Sequence, residues 1–296
     1  VLSTDLPPTI VPPLSTATEH PVSATEAAES AVPVGGWPTP EVKSTRELPS
    51  PDGRWVAREV HGAGQEIDYG PAGGAHYREY RGLLVTDSQS ERTLRPVERW
   101  EEGDIGVCDV QVIGWRADSG QLYYRQPCSG DGCVGYGPEA VLGLDVSTGA
   151  TESVESTGWG HVVDPAGTRM AFATMPVTTT GQLNVLDLIT REVRAIASFP
   201  AATVGGPVWS AAGDSVAVVV GTEPDEDCRH ITRRRHVMKA DLASGETTEL
   251  FESRWNPLWL QAWRADGLLE AEIPADGGKR TILIDPATGQ EQPGGS

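Results

Sequence analysis

Apolar residues along this chain come in short runs broken by polar turns, and runs of that length bounded by Gly, Pro, Asp and Ser read as strands rather than helices. The runs repeat. Five times the chain writes apolar strand, polar turn with Asp and Gly or Ser and Gly, apolar strand. The copies are Ser50-Pro51-Asp52-Gly53-Arg54-Trp55-Val56-Ala57, Trp115 to Tyr123, Asp164 to Phe172, Trp209 to Ala217, and Trp263 to Leu269. In such a turn Asp hydrogen-bonds the backbone two residues on, and Gly accepts the positive φ that closes the hairpin.

A second half follows each copy: an apolar strand ending in Asp, usually with Thr-Gly or Ser-Gly after it. It reads Leu83 to Asp87, Leu142 to Asp145 with Thr148-Gly149, Asn184 to Asp187, Met238 to Asp241 with Ser244-Gly245, and Leu283 to Asp285 with Thr288-Gly289. A fourth short strand comes next, as in Thr248 to Phe251. Four strands per unit, repeated, predict an all-β fold: a β-propeller of five four-stranded blades, each burying its faces against its neighbours. Innermost strands are expected near 48, 110, 160, 205 and 258, with Val56, Leu122, Ala171, Val218 and Leu269 as equivalent positions. Trp115, Trp209 and Trp263 are expected to pack between blades.

The stretch Ser-Pro-Asp-Gly-Arg-x-Val-Ala at 50–57, with its four looser copies, resembles the repeat of TolB-type propellers of the bacterial envelope, over about residues 45–290. The resemblance implies the fold and says little of activity, because propellers host binding modules and enzymes alike. Familiar members have six blades, so a sixth built partly from the N-terminal residues stays open.

Residues 1–40 are rich in Pro, Thr, Ser, Ala and Glu and bury too little apolar surface to offset chain entropy. They are expected to form a tether or arm, with the propeller in 41–296. Opening on Val, the chain reads as a processed or trimmed form, with no apolar stretch near the roughly 20 residues a bilayer span needs. The formal charge of −19 argues against nucleic acid and anionic membranes as partners. Its basic cluster, Arg233 to Arg235, follows the acids Glu223, Asp225, Glu226 and Asp227 and reads as a self-neutralised loop.

Catalytic constellations are sparse. There is no G-x-S-x-G elbow, Gly213-Asp214-Ser215 sits in a hairpin turn, and a sialidase-type Asp box is only half matched at Ala117 to Tyr123. Cys228, His230 and His236 share a stretch without zinc-type spacing, so neither metal nor cofactor is expected. A glycosidase-like hydrolase with carboxylates in the axial funnel, Asp104 and Asp109 among them, is the alternative to a binding module.

The second-to-third connections His61–His76, Pro127–Gly137 and Gly221–His236 are longer than hairpins need, which marks one end of the propeller as the binding end. Asp68, Tyr69, His76, Tyr77, Tyr136, Trp159, His161, Arg233, Arg234 and Trp255 are expected to gather there, facing another envelope or secreted protein, or a glycan. Four cysteines without metal spacing suit disulfides and an extracytoplasmic location, whether secreted, periplasmic or anchored at the surface. Cys128 with Cys133 and Cys108 with Cys228 is the favoured pairing, and Cys108–Cys128 with Cys133–Cys228 the other.

Overall fold

The protein's structure, a computed structural model, describes residues 42–68, 75–103, 109–127, 140–155, 158–174, 180–224, 232–276 and 278–293. The described residues contain no helix, and so none long and apolar enough to cross a membrane. They form five four-stranded antiparallel sheets, each built from four consecutive strands. The first blade holds β1 (Val42–Pro49), β2 (Trp55–Asp68), β3 (Ala75–Asp87) and β4 (Thr93–Gly103); the second holds β5 (Gln111–Trp115), β6 (Gln121–Arg125), β7 (Val141–Asp145) and β8 (Thr151–Glu155). In the third are β9 (Trp159–Val163), β10 (Arg169–Thr174), β11 (Thr180–Asp187) and β12 (Val193–Pro200), and in the fourth β13 (Thr203–Trp209), β14 (Ser215–Pro224), β15 (Thr232–Asp241) and β16 (Thr247–Ser253). The fifth comprises β17 (Trp259–Trp263), β18 (Leu269–Ala275), β19 (Gly278–Ile284) and β20 (Glu291–Pro293). Innermost strands β1, β5, β9, β13 and β17 all line one axial cavity. The chain is thus a five-bladed propeller, with residues 1–41 outside the described part.

Alternation along each strand places successive side chains against opposite neighbours, so a blade flanked on both sides buries both faces. Trp55, Leu83 and Val85 meet Val112, Leu122 and Tyr124 between the first two blades. Tyr123 and Val141 turn the other way onto Met170, Phe172 and Leu186. Ala171 and Leu183 meet Val204, Trp209 and Val218, and Ala217, Val219 and Val237 meet Leu260, Leu269 and Ile273. The outer flank of the fifth blade differs. Glu270 and Glu272 alternate with the buried Leu269, Ala271 and Ile273, so this flank is polar and partly exposed.

The same alternation corrects the expected equivalences. Val56, Leu122 and Leu269 pair with Pro49, Trp115 and Trp263, and the matching residues of the third and fourth blades are Met170 and Val216. Ala171 stands one place along and faces the next blade; Val218 stands two places along on the same face. Two of the repeated tryptophans also hydrogen-bond across a seam: Trp115 Nε1 donates to Leu48 O at 3.1 Å and Trp209 Nε1 to Val162 O at 2.9 Å. Trp263 packs against the cluster shared by the fourth and fifth blades, and its Nε1 donates to Gly267 O in its own turn at 3.1 Å.

Both turn types recur at one end of the propeller. The first closes through a residue at positive φ in every blade: Gly53, Ser119, Gly167, Gly213 and Gly267. In the second, the amide four residues after each of Asp87, Asp145, Asp187, Asp241 and Asp285 donates to that residue's carbonyl, and the amide two residues after it donates to its carboxylate. The second turn docks on the first through Ser88 N to Arg54 O, Val146 N to Gly120 O, Leu188 N to Thr168 O and Leu242 N to Asp214 O. In the fifth blade the corresponding residue is Pro286, which has no N–H to give.

Candidate binding site at the long-connection end

The two ends of the propeller are chemically unlike. At the turn end the acids are spent on structure: donated amides and hydroxyls hold the Asp145, Asp187 and Asp241 carboxyls below their ordinary range. The Arg54 guanidinium, 2.7 Å from Asp87 Oδ2, does most to depress that carboxyl. Neighbouring blades also join there, through Asp52 N to Ser119 Oγ at 3.1 Å and Ala117 N to Gly167 O at 3.0 Å. The Asp87, Asp145, Asp187 and Asp241 carboxylates are engaged within the turns themselves.

The opposite end carries the second-to-third connections; two of the three expected loops, His61–His76 and Gly221–His236, prove to be largely strand where described, while Pro127–Gly137 lies, beyond Pro127, outside the described residues. β2 and β3 run on as a hairpin until Asp68 pairs with Ala75, and β14 and β15 until Pro224 pairs with Thr232. Backbone pairing continues past the blade through largely polar residues, which corrects the loop assignment for 61–68, 75–76, 221–224 and 232–236. β2 has 14 residues against 5 in β6, an excess of roughly 20–30 Å at about 3.3 Å per residue. The described ladder of the first blade therefore runs further in this direction than that of the second.

The axial cavity, about 630 Å³, runs toward this end between the innermost strands. Four cationic residues line it, Arg46, Arg125, Arg235 and Lys279, with one carboxylate, Glu272. In a chain of charge −19 the lining residues carry a local excess of cations. Arg46 donates to Val112 O at 2.8 Å and lies 3.7 Å from Glu59, whose carboxyl burial pushes up. Arg125 places Nε and Nη2 at 3.0 and 2.7 Å from Gln111 Oε1. Lys279 Nζ sits 3.1 Å from Glu272 Oε2 and 4.2 Å from the centre of the Trp259 ring, which is 37% exposed.

Arg235 has a sequence-encoded position. It pairs across the ladder with Gly221, on the face that carries Val219 and Val237, so the row of apolar contacts with the fifth blade ends in a cation with a glycine opposite it. Its Nε donates to the neutral Asn256 Oδ1 at 2.6 Å. Burial lowers its pKa, and no ion pair joins it to a carboxylate among the described residues. Arg235 was legible only as one of a basic triplet; the glycine opposite was the signal that separates it from Arg233 and Arg234.

The ten residues expected at the rim fall in several environments. Asp68, His76, Tyr77 and Arg233 lie on β2, β3 and β15 at this end, but their side chains, like Tyr69 and Tyr136 altogether, lie outside the described part. Arg234 is exposed, 3.5 Å from Glu252. Trp159, on β9, is partly buried. His161 is enclosed: Nε2 is 2.7 Å from Glu155 Oε2, and the ring stacks on Phe172 at 5.3 Å. Trp255 donates to Glu291 at 2.7 Å beneath the Arg254 and Arg280 guanidinium groups. His161 and the axial cations thus share the cavity wall, whereas Trp255 belongs to a groove with Phe251 and Glu291.

Of the two acids weighed for hydrolysis, Asp104 lies outside the described residues and Asp109 is 3.2 Å from His61 Nε2. His61 also contacts Arg81, which contacts Glu79; burial and the Arg81 charge lower the His61 pKa. No group of three His, Cys, Asp or Glu that could hold a metal ion occurs among the described residues. All four cysteines, and with them both disulfide schemes, lie outside that part.

Five sheets of four consecutive strands around a cation-lined axial cavity, with a lattice of Asp turns at the other end, define a five-bladed β-propeller, the architecture expected from the repeat. Solved structures similar to it include TolB from Acinetobacter baumannii, at 16% identity and TM-score 0.46 over 72% of this chain and 48% of that one. Others are an oligogalacturonate lyase in complex with manganese (12%, TM-score 0.51, 83% and 63%) and the β-propeller domain of the Trilobed protease from Pyrococcus furiosus (9%, TM-score 0.49, 85% and 71%). The chain spans less than half of that TolB and under two thirds of the lyase. At these identities the likeness is one of fold. No protein-family profile and no curated protein matches the chain.

Proposed function

We propose that this propeller is an extracytoplasmic binding module that engages another envelope or secreted protein, or a glycan, through its long-connection end. One observation carries the reading: the end with the projecting hairpins is where a half-buried, cation-lined cavity opens, while the other end has its polar groups engaged in turns. Loops and hairpins on a rigid scaffold are where recognition tends to sit. The even cysteine count and the Pro-rich N-terminal segment support a site of action outside the cytoplasm.

A glycosidase would need two carboxylates flanking the scissile bond. The described lining of the cavity offers Glu272, already held by Lys279, which favours binding over hydrolysis. The test is capture of partners from envelope fractions and glycan arrays by the full chain. Arg234→Glu and Tyr69→Ala are expected to weaken capture with little loss of stability, and Asp118→Ala and Asp266→Ala at the turn end to leave it intact. Stronger loss from the turn-end pair would reverse the assignment of ends.

A further inference from the structure

We infer that the axial cavity is a binding site for an acidic saccharide, with Arg235 and Lys279 receiving its carboxylate and Trp259 its sugar face. The inference rests on the reading above that the long-connection end binds ligands, and it names the ligand's chemistry. Three independent features converge. The volume, about 630 Å³, falls within the roughly 300–1,000 Å³ typical of small-ligand pockets and is ample for one or two pyranose rings.

The charge pattern is the second. Four cations line the cavity with one carboxylate; Lys279 holds that Glu272 and Arg46 lies 3.7 Å from Glu59, whereas Arg235 is held half-buried by an amide rather than an acid. A cation withdrawn from water costs free energy unless an anion compensates it, and guanidinium presents the fork that matches a carboxylate. Burial already lowers the Arg235 pKa, as expected of a cation whose counter-charge arrives with a ligand.

The third feature favours a sugar over an acidic peptide. Trp259 is one of the few large hydrophobic side chains left exposed, and it stands in the cavity wall with Lys279 over its ring. An indole with a cation over one face suits a pyranose that carries a carboxylate, the sugar lying on the other face and the acid reaching the charge. Gln111 and Gln261, also in the wall, supply amide donors and acceptors of the kind that hydroxyl groups need.

The experiment is calorimetric titration of the full chain with a digalacturonate, with the same disaccharide after carboxyl reduction, with sodium sulfate and with a short poly-glutamate. The uronate is expected to bind with an affinity that falls as salt rises, and the reduced sugar at least tenfold more weakly. Arg235→Gln and Trp259→Ala should each weaken uronate binding at least fivefold at an unchanged melting temperature, with Arg235→Lys restoring part of it. Equal binding of reduced and acidic sugar, or an affinity unmoved by Arg235→Gln, overturns the inference. Arg235-dependent binding of sulfate as tight as the uronate reduces the site to an anion hole and overturns the saccharide. Arg235-dependent binding of poly-glutamate alone assigns the cavity to an acidic protein segment instead. Envelope-partner capture that survives Arg235→Gln while no uronate binds would leave the long-connection end a binding surface and remove the saccharide.

Discussion

Adding one methyl group at Gly167 should test whether the turn lattice holds neighbouring blades together. Gly167 closes the first turn of the third blade at φ +66°, and a Cβ there would lie 2.6 Å from Ala117 N and 3.0 Å from both Ala117 Cα and Trp115 O. Those atoms are backbone of the second blade's turn, so no rotamer change relieves the contact. The left-handed conformation costs a non-glycine residue about 1–2 kcal/mol. Retreat of the second blade's turn would also forfeit the Ala117 N to Gly167 O hydrogen bond, worth about 0.5–1.5 kcal/mol, and loosen the packing beneath it. Together these place Gly167→Ala at about 2–4 kcal/mol.

Gly267 is the control. It occupies the same turn position in the fifth blade at φ +87°, with nothing within 4 Å of an added Cβ, so Gly267→Ala costs only the conformational term of about 1–2 kcal/mol. The unfolded-state effect of replacing Gly by Ala is common to both and cancels in the comparison. Equilibrium urea unfolding of the full chain reads the difference, and thermal scans should show it as several degrees at about 2–4 °C per kcal/mol. Equal destabilisation would refute the claim that the turn end carries the seam between the second and third blades.

Trp209→Ala should cost about 3–5 kcal/mol in the same assay, since Trp209 is buried, bonded to the previous blade and covered by Arg169 at 5.0 Å; Trp263→Ala should cost less than half as much. Glu155→Ala should destabilise by about 2–3 kcal/mol, because the buried His161 Nε2 and the Gly158 amide both lose their acceptor, while Glu155→Gln should cost less. Carboxyls whose folded pKa lies below the ordinary 3.8 contribute stability that is present above that value and lost as pH falls through the folded one. Urea midpoints should therefore drop from pH 5 to pH 2, and the triple replacement of Asp145, Asp187 and Asp241 by Asn should flatten that slope.

The repeat was legible because the turns impose chemistry that few residues satisfy. An Asp followed by an amide-donating turn marks all five blades, and this fixed blade number and strand order. Departures were harder to read. Ser119 fills the left-handed position held elsewhere by glycine, and Arg191 and Glu91 do so in the second turn, so composition alone understates the regularity. The blade positions of Ala171 and Val218 were illegible because Ala and Val are equally apolar on both faces, and only pairing decides which neighbour they meet. The candidate site was the least visible part. Arg46, Arg125, Arg235 and Lys279 lie far apart in sequence, on strands of four different blades, and share a wall only once the innermost strands surround the axis. Long connections were visible as low-repeat segments, but their extension as strand depends on pairing with a partner many residues away.

The account stands on the division of labour between the two ends, and one paired binding measurement tests it most directly. The full chain, Arg235→Gln in the axial cavity and Arg264→Gln in a turn at the opposite end would be compared on one array of acidic and neutral glycans. The account predicts retention of acidic glycans by the parent chain and by Arg264→Gln, and its loss in Arg235→Gln. Loss that follows Arg264→Gln would contradict it, and no preference for acidic over neutral glycans in the parent chain would remove the saccharide from the axial cavity.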